Sequence, residues 1–156
     1  MCTVEKALEA DPNIWLGDLQ MLCLESNVSY KHAALLIRPG RSVWTRSRAV
    51  DVSGVNHHNP LIVRALQGID PRYKNIHAEA DLMMQMRFNQ KKTKNHIVIV
   101  YGESKAGKRV YSKPCMLCQE LLRRMRIQYV VYSTQTGFEA LNLRKGSNVR
   151  TYTKRK

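Results

Sequence analysis

Two short stretches organise this chain: His77-Ala78-Glu79 and Pro114-Cys115-Met116-Leu117-Cys118, each at the head of a helical pattern. One imidazole and two thiols are three ligands of the kind that zinc prefers, and a set of three leaves the fourth tetrahedral position free for water. That arrangement is typical of a catalytic zinc site and not of a closed structural one. The sequence therefore predicts one zinc ion per chain, held by His77, Cys115 and Cys118.

The spacing within each stretch fits this prediction. Cys115 and Cys118 are three positions apart, so in the first turn of a helix begun by Pro114 both sulfurs can face one metal. His77 and Glu79 are two apart and would diverge inside a helix, so His77 is expected at or before the first regular turn. The metal is then expected at two helix N-termini, where unpaired N–H groups and the positive end of the dipole favour thiolate.

Glu79 is the predicted catalytic residue, because a carboxylate beside a metal-bound water can take its proton and return it to a nitrogen leaving group. Each motif alone has another interpretation, since C-x-x-C also occurs in redox pairs and structural zinc sites. A closed four-ligand site would need Cys23, His57, His58 or His96. None of these has ligand-like spacing to the other three.

The composition bounds the class of protein. A chain of 156 residues is one domain of ordinary size. Residues Met1 to Leu24 lack the pattern of a signal peptide, and no apolar run approaches the length of a membrane span. Of four cysteines, two belong to the predicted zinc site and Cys23 lies on an apolar helix face. We therefore expect a soluble intracellular protein, cytoplasmic or nuclear, without disulfides.

The charge balance is strongly basic. Lys plus Arg number 26 against 12 Asp plus Glu, which gives a formal net charge of +14. Such an excess favours a polyanionic partner, so nucleic acid is one expected partner. A free nucleotide substrate would also be attracted, and a soluble basic protein without either partner is the third interpretation. A membrane partner is not expected, and the sequence leaves a homo-oligomer open.

The first half of the chain predicts a helix, a hairpin and a loop-rich region. Asp11-Pro12 starts a helix that turns Trp15, Leu19, Leu22 and Cys23 to one side. His32–Ile37 and Ser42–Val50 form a predicted β-hairpin. The segment from Asp51 to Pro71 is expected to be loop, with a brief helix that Asn59-Pro60 starts and Gly68 stops.

The second half predicts strands between the two site helices and after them. In the second site helix the apolar residues form one stripe, and Arg123, Arg124 and Arg126 face solvent. The expected elements are strands at His96–Tyr101 and Gln128–Ser133, a flexible hairpin or insertion at Gly102–Arg109, a terminal helix at Phe138–Lys145 and a mobile basic tail at Arg144–Lys156.

This order of elements predicts the architecture. Helices that alternate with strands favour a three-layer α/β/α sandwich, with helices on both faces of a mixed sheet of about five strands. The predicted domains are a catalytic domain over residues 1–143 and a tail over residues 144–156.

Taken together, these residues resemble the cytidine and deoxycytidylate deaminase superfamily, from Trp15 to about Leu143. The resemblance implies a cytidine deaminase-like fold, with His77, Cys115 and Cys118 as zinc ligands and Glu79 as the proton shuttle. It also implies two substrate contacts. Gly54-Val55-Asn56 is similar to the family's G-x-N segment, whose asparagine contacts the sugar, and the backbone N–H of Ala78 would face the base.

The resemblance further implies the reaction. A hydroxide attacks the amine-bearing carbon of a base, C4 for cytosine, and the glutamate moves protons until ammonia departs. Histidine as first ligand is similar to the deoxycytidylate, tRNA-adenosine and polynucleotide-cytosine branches. Lys113 departs from the acid usual in the tRNA-adenosine branch, and the 34 positions from Ala80 to Lys113 are a long gap. The expected function is cytosine deamination, with tRNA adenosine deamination and a catalytically silent zinc-containing nucleic-acid-binding subunit as alternatives.

Overall fold

The computed structural model describes residues 11–38, 50–72, 75–87 and 96–153. The first helical segment begins as predicted, because the Asp11 side chain accepts a hydrogen bond from the backbone N–H of Asn13 and Pro12 opens a 3₁₀ turn. That turn, Pro12–Trp15, leads directly into helix α1, Leu16–Cys23.

A mixed sheet forms the centre of the molecule. Its strands are β1 (Lys31–Ile37), β2 (Val50–Val55), β3 (Ile97–Glu103), β4 (Arg109–Val110), β5 (Tyr129–Ser133), β6 (Gly137–Asn142) and β7 (Ser147–Thr153). The strand order is β2-β1-β3-β5-β6-β7, and the short β4 also pairs with β3. Strands β3 and β5 run parallel, and the other pairs are antiparallel. The described residues thus contain seven strands, two more than expected.

Three further helices complete the fold: α2 (Pro60–Ile69), α3 (Ala78–Gln85) and α4 (Met116–Arg124). Side chains alternate between the sheet faces with the period of two expected of strands. In β1, Ala34 and Leu36 join the core under α2, α3 and α4, whereas Ala33 and Leu35 join the core under α1. The predicted three-layer α/β/α architecture is therefore confirmed.

The second strand extends further along the chain than predicted. Of the expected strand at Ser42–Val50 only Val50 is among the described residues, and β2 covers Val50–Val55, although the segment from Asp51 onward was expected to be loop. Gly54 marks a close approach here and not a turn, because a Cβ on it would lie 2.6 Å from both the Ala78 carbonyl oxygen and the Leu82 nitrogen. The missing side chain lets α3 pack directly on the strand.

Helix α2 also extends beyond its predicted end. Asn59 caps it as expected, accepting hydrogen bonds from the N–H groups of Leu61 and Ile62. It continues through Gly68, and the Asp70 N–H still bonds to the Leu66 carbonyl. A helical glycine costs only about 1 kcal/mol relative to alanine, which is too little to end a helix held by such bonds.

The C-terminal prediction was wrong. Residues 138–145 do not form a helix: β6 spans Gly137–Asn142 and turns at Gly146, which has φ 69°, into β7. Phe138 packs under α1 while Leu141 packs under α4, so both faces of β6 are buried. Apolar residues at positions 138, 140, 141 and 143 fit a short amphipathic helix as well as a strand buried on both faces, so the pattern alone does not separate the two.

The expected tail is therefore largely sheet. Strand β7, Ser147–Thr153, pairs with β6 along its length, so the boundary predicted between residues 143 and 144 falls inside a β-hairpin. The Gly102–Arg109 segment is confirmed as a hairpin, formed by the end of β3 and by β4. The predicted loop at 91–95 lies outside the described residues. Within them, no helix is long and apolar enough to cross a membrane.

Candidate metal centre and active site

Two helix N-termini meet above the ends of the central strands. His77 is the N-cap of α3 and Cys115 is the N-cap of α4, both with extended backbone conformations. The expected position of His77 before the first regular turn is confirmed. Pro114 was predicted to be the first helical residue, but it precedes the cap, because Cys115 takes the cap position and its carbonyl accepts the first helical bond, from Gln119.

The three predicted ligands lie together. The Nδ1 atom of His77 is 3.2 Å from the Sγ atom of Cys118 and 3.5 Å from that of Cys115, and all three ligand atoms lie within 4.8 Å of one another. A tetrahedral ion with the bond lengths that zinc makes would separate its nitrogen and sulfur ligands by about 3.6 Å. The donor set and its spacing therefore fit such an ion.

No other potential ligand joins this cluster. It is the only group of three or more histidine, cysteine or acidic side chains with metal-site spacing in the ranges that the structure describes. The residues considered for a closed site, Cys23, His57, His58 and His96, are not in it. Cys23, the last residue of α1, is fully buried, and burial raises the pKa of its thiol to about 12. Within the described residues the cluster thus offers three protein ligands, which would leave one position of a tetrahedral ion open.

The electrostatics prepare Cys115 as a thiolate. A hydrogen bond from the Cys118 thiol is the main cause that lowers the pKa of Cys115 to about 4, and His77 and the Cys118 backbone N–H act in the same direction. In turn, the hydrogen bond with Cys115 is the main cause that raises the pKa of His77. A thiolate is the form that binds a metal, so the site favours cation binding before any ion arrives.

Glu79 lies in the first turn of α3, 5 % exposed. Burial raises the pKa of its carboxyl, while the neighbouring His77 charge acts in the opposite direction. A carboxyl with a raised pKa both accepts and returns a proton more readily near neutral pH than an ordinary glutamate does. Since Glu79 is not one of the three clustered ligands, its carboxylate remains available for proton transfer.

A cavity of about 410 Å³ opens onto the cluster, within the size range of small-molecule sites. Ala78, the first residue of α3, lines this cavity, and its N–H is one of the helix-start amides that have no partner within the helix. Among the described residues that line it, Glu79 is the only acid and Lys113 is the only one of fixed positive charge. The remaining polar wall includes His32, Asn56, Asn75 and Ser112.

Asn56 reaches this cavity, but its side chain is engaged by the protein. Its Oδ1 atom accepts hydrogen bonds from the Ser26 hydroxyl and from the backbone N–H of His32, both at 2.7 Å. Its Nδ2 atom donates to the Tyr30 carbonyl at 2.7 Å and lies 3.3 Å from the Nδ1 atom of His32. The sugar contact implied for Asn56 stays a prediction, as does the base contact of Ala78.

Several cavity residues were missed by the sequence reasoning. Tyr30, His32, Asn75 and Ser112 line the cavity without belonging to any recognised motif. The only signal for His32 was its position at the head of the apolar run of β1, where a strand end meets the site. Ser112 is buried and donates to the Val100 carbonyl, so it also ties the segment after β4 to β3.

The molecule thus combines an α/β/α fold with a His/Cys/Cys cluster that could hold a metal ion, and the same fold is found in cytidine deaminases. Among solved structures, cytidine deaminase from Burkholderia pseudomallei superposes with a TM-score of 0.57 at 13 % identity, covering 87 % of this chain and 95 % of that one. A variant of cytidine deaminase from Mycobacterium tuberculosis gives 0.50 at 14 %, covering 87 % and 93 %. No protein-family model and no curated protein sequence matches the chain. At these identities the likeness establishes the fold.

Proposed function

We propose that this chain is a zinc-dependent hydrolase that deaminates a nucleobase, converting cytosine to uracil on a nucleotide or a nucleic acid. One observation carries the proposal: the buried Glu79 lines the same cavity as His77 and Cys115, which cluster with Cys118 as three potential metal ligands. A purely structural metal site has no use for a buried carboxyl that is not a ligand, and burying one is costly.

The residues of the chain have distinct parts in this reaction. Zinc, held by the three ligands, supplies a Lewis acid that lowers the pKa of water to about 7. Glu79 takes a proton from the water that attacks C4 of the base and delivers protons to the ring and to the departing amino group. Water and the cytosine base thus give uracil and ammonia. The Ala78 N–H donates toward the base from the positive end of α3.

Cytosine is proposed as the base for two reasons. The two solved structures described above, which share the fold of this chain, are cytidine deaminases. The cavity, about 410 Å³, also has the volume that a pyrimidine with its sugar requires. The adenosine alternative would use the same ligands and the same glutamate, so only product analysis separates the two bases.

The surroundings of the cavity favour a phosphate-bearing substrate. Lys113 is exposed at the cavity wall, and the exposed Tyr30 stands on the same wall with 61 % of its surface accessible. An aromatic ring beside a lysine is the combination that binds a neighbouring base and a phosphate in single strands. Together with the net charge of +14, these residues support nucleic acid as partner. A free nucleotide would need only one phosphate contact, which Lys113 could supply.

The test is product analysis with the zinc-loaded protein. It is incubated separately with cytidine, deoxycytidylate, single-stranded DNA and total tRNA, and uracil and inosine are sought by mass. Glu79→Gln, shown to retain zinc, is the matched control. Uracil from the parent alone supports the proposal, and inosine alone supports the adenosine alternative. Binding of nucleic acid without any product would favour the silent zinc-containing subunit.

A further inference from the structure

The hydrogen bonds of Asn56 determine which atoms its side chain offers. Its Oδ1 is identified by the bond from the backbone N–H of His32, which can only donate. Its Nδ2 is identified by the bond to the Tyr30 carbonyl, which can only accept. Oδ1 also accepts a bond from the Ser26 hydroxyl, and Nδ2 has a second neighbour in the His32 ring. Because a primary amide has two N–H groups, Asn56 has no further N–H to donate.

This arrangement favours one tautomer of His32. The second N–H of Nδ2 faces the Nδ1 atom of His32 at 3.3 Å, and a neutral ring can accept this bond only when its proton lies on Nε2. A proton on Nδ1 would instead donate to the Tyr30 carbonyl, which also accepts the bond from Asn56, and it would leave the second N–H of Asn56 facing another donor. Burial, opposed by that carbonyl, lowers the pKa of His32, so the ring is neutral near pH 7.

The ring of His32 is held in place from the other side as well. It packs on Gly102 of β3 so closely that a Cβ there would lie 2.7 Å from both Cδ2 and Nε2. His32 lines the cavity, and among the described residues no protein acceptor bonds its Nε2. With its proton on Nε2, His32 is thus a cavity residue whose N–H has no protein acceptor among the described residues, and Glu79 is the only acid among the described residues that line the cavity.

We propose that the Nε2–H group of His32 donates a hydrogen bond to a neutral acceptor oxygen of the substrate, either the base carbonyl or a sugar oxygen. This inference rests on the proposed function for the nature of the substrate. Asn56 is then a positioning residue: it holds the imidazole and sets its tautomer, and the substrate contact expected of Asn56 is made through His32. Specificity comes from the donor itself, because a site built around a donor rejects analogues that lack the acceptor.

The first test measures the tautomer and needs no activity. The long-range ¹H–¹⁵N spectrum of the zinc-loaded protein at neutral pH should show His32 protonated at Nε2 and unprotonated at Nδ1. In Asn56→Asp, an acceptor replaces Nδ2, and the proton should move to Nδ1. A parent protein with the proton on Nδ1, or on both nitrogens, would overturn the inference.

The second test separates a contact from a structural role. His32→Gln places an amide N–H near the former Nε2 position, whereas His32→Asn places its amide near Nδ1 and leaves that donor out. With variants matched in zinc content and unfolding temperature, His32→Asn should raise KM for cytidine or deoxycytidylate roughly fivefold with a smaller change in kcat, the effect of one neutral hydrogen bond. His32→Gln should recover most of it. Equal KM values in the two variants would contradict the contact.

Substrate analogues identify the oxygen that is bound. If the base carbonyl accepts the bond, 2-thiocytidine should bind the parent more weakly than cytidine does, whereas His32→Asn should bind the two equally. If a sugar oxygen accepts the bond, 2′-deoxy- or 3′-deoxycytidine should show this difference instead. Failure of the proposed function is distinguishable. Cytidine that binds and shifts the Nε2 proton signal without being deaminated supports the contact and refutes the deaminase. Bound cytidine that leaves that signal unchanged refutes the contact.

Discussion

The Asp81 carboxylate accepts a hydrogen bond from the backbone N–H of Val55 at 3.0 Å, and its second oxygen lies 3.4 Å from Nε2 of His57. Asp81 belongs to the first turn of α3, whose N-cap is His77. The contact therefore joins the helix that carries a metal ligand and Glu79 to the end of β2. It sets the position of the site without touching the ligand cluster.

Replacing this carboxylate should weaken both the fold and the metal site. Asp81→Ala leaves the Val55 N–H unsatisfied in a partly buried place, so we expect a loss of about 1–3 kcal/mol in the free energy of unfolding and lower zinc affinity. Asp81→Asn keeps one acceptor oxygen and should lose less. Denaturant unfolding and competition with a zinc chelator measure the two effects. Glu25→Ala, at an exposed acid just after α1, is the control and should change neither.

Gly54 provides a second, purely steric test of the same junction. Gly54→Ala puts a Cβ 2.6 Å from two backbone atoms of α3, so the helix has to move, and overpacking of this kind costs about 1–3 kcal/mol. Gly68→Ala is the matched control, because no atom lies within 4 Å of a Cβ in that helical position. It should stabilise by roughly 0.5–1 kcal/mol. Thermal unfolding of both variants decides, and equal stabilities would refute the close approach.

Gly54 also shows why the sequence predicted the clustering of His77, Cys115 and Cys118 better than the fold around it. The placement of these residues at helix starts was predictable because short spacings there are local geometry. The strand β2 was missed because its glycine is explained only by a helix more than twenty positions later. Likewise Phe138–Lys145 carried an apolar run compatible with either helix or strand, and only pairing with β5 and β7 selects the strand. Tertiary contacts, absent from any local window, decided both.

The metal prediction concerns the two cysteine ligands. Cys115→Ser and Cys118→Ser should each abolish stoichiometric zinc and lower the unfolding temperature, because binding energy at such a site contributes to folding. Elemental analysis of protein purified without chelator should give one zinc per chain for the parent. Cys23→Ala is the control. Cys23 ends α1 and is buried on the other face of the sheet, so this variant should be less stable than the parent yet retain zinc. A parent free of zinc would refute the site.

Glu79→Gln should separate chemistry from stability. Proton transfer fails while size is kept, so we expect kcat to fall roughly 10²- to 10⁴-fold with zinc retained.

Burial raises the pKa of Glu79 in the folded protein, so the native state binds its proton more tightly than the unfolded chain does. The stability of the metal-free parent should therefore fall as pH rises from the unfolded pKa, about 4.3, through the raised folded value. Glu79→Gln lacks this loss, so its advantage in unfolding temperature should grow over that range and vanish at acid pH. An advantage independent of pH would contradict the raised pKa.

The last prediction concerns nucleic acid. If Lys113 at the cavity wall contacts a phosphate, binding of single-stranded DNA should weaken as salt is added, and Lys113→Gln should reduce the slope of log affinity against log salt by about 0.7.

Removing the chain after Ser147 would test the charge poorly, because it deletes β7 and uncovers β6. Lys145→Gln is the better control: Lys145 is exposed in the turn after β6, whose end pairs with the start of β5 at the sheet end away from the cavity. Fluorescence anisotropy with a labelled oligonucleotide measures both variants. Equal slopes for the two would place the contact elsewhere on the basic surface, and deoxycytidylate turnover that ignores salt, with no binding of single strands, would assign the site to free nucleotides.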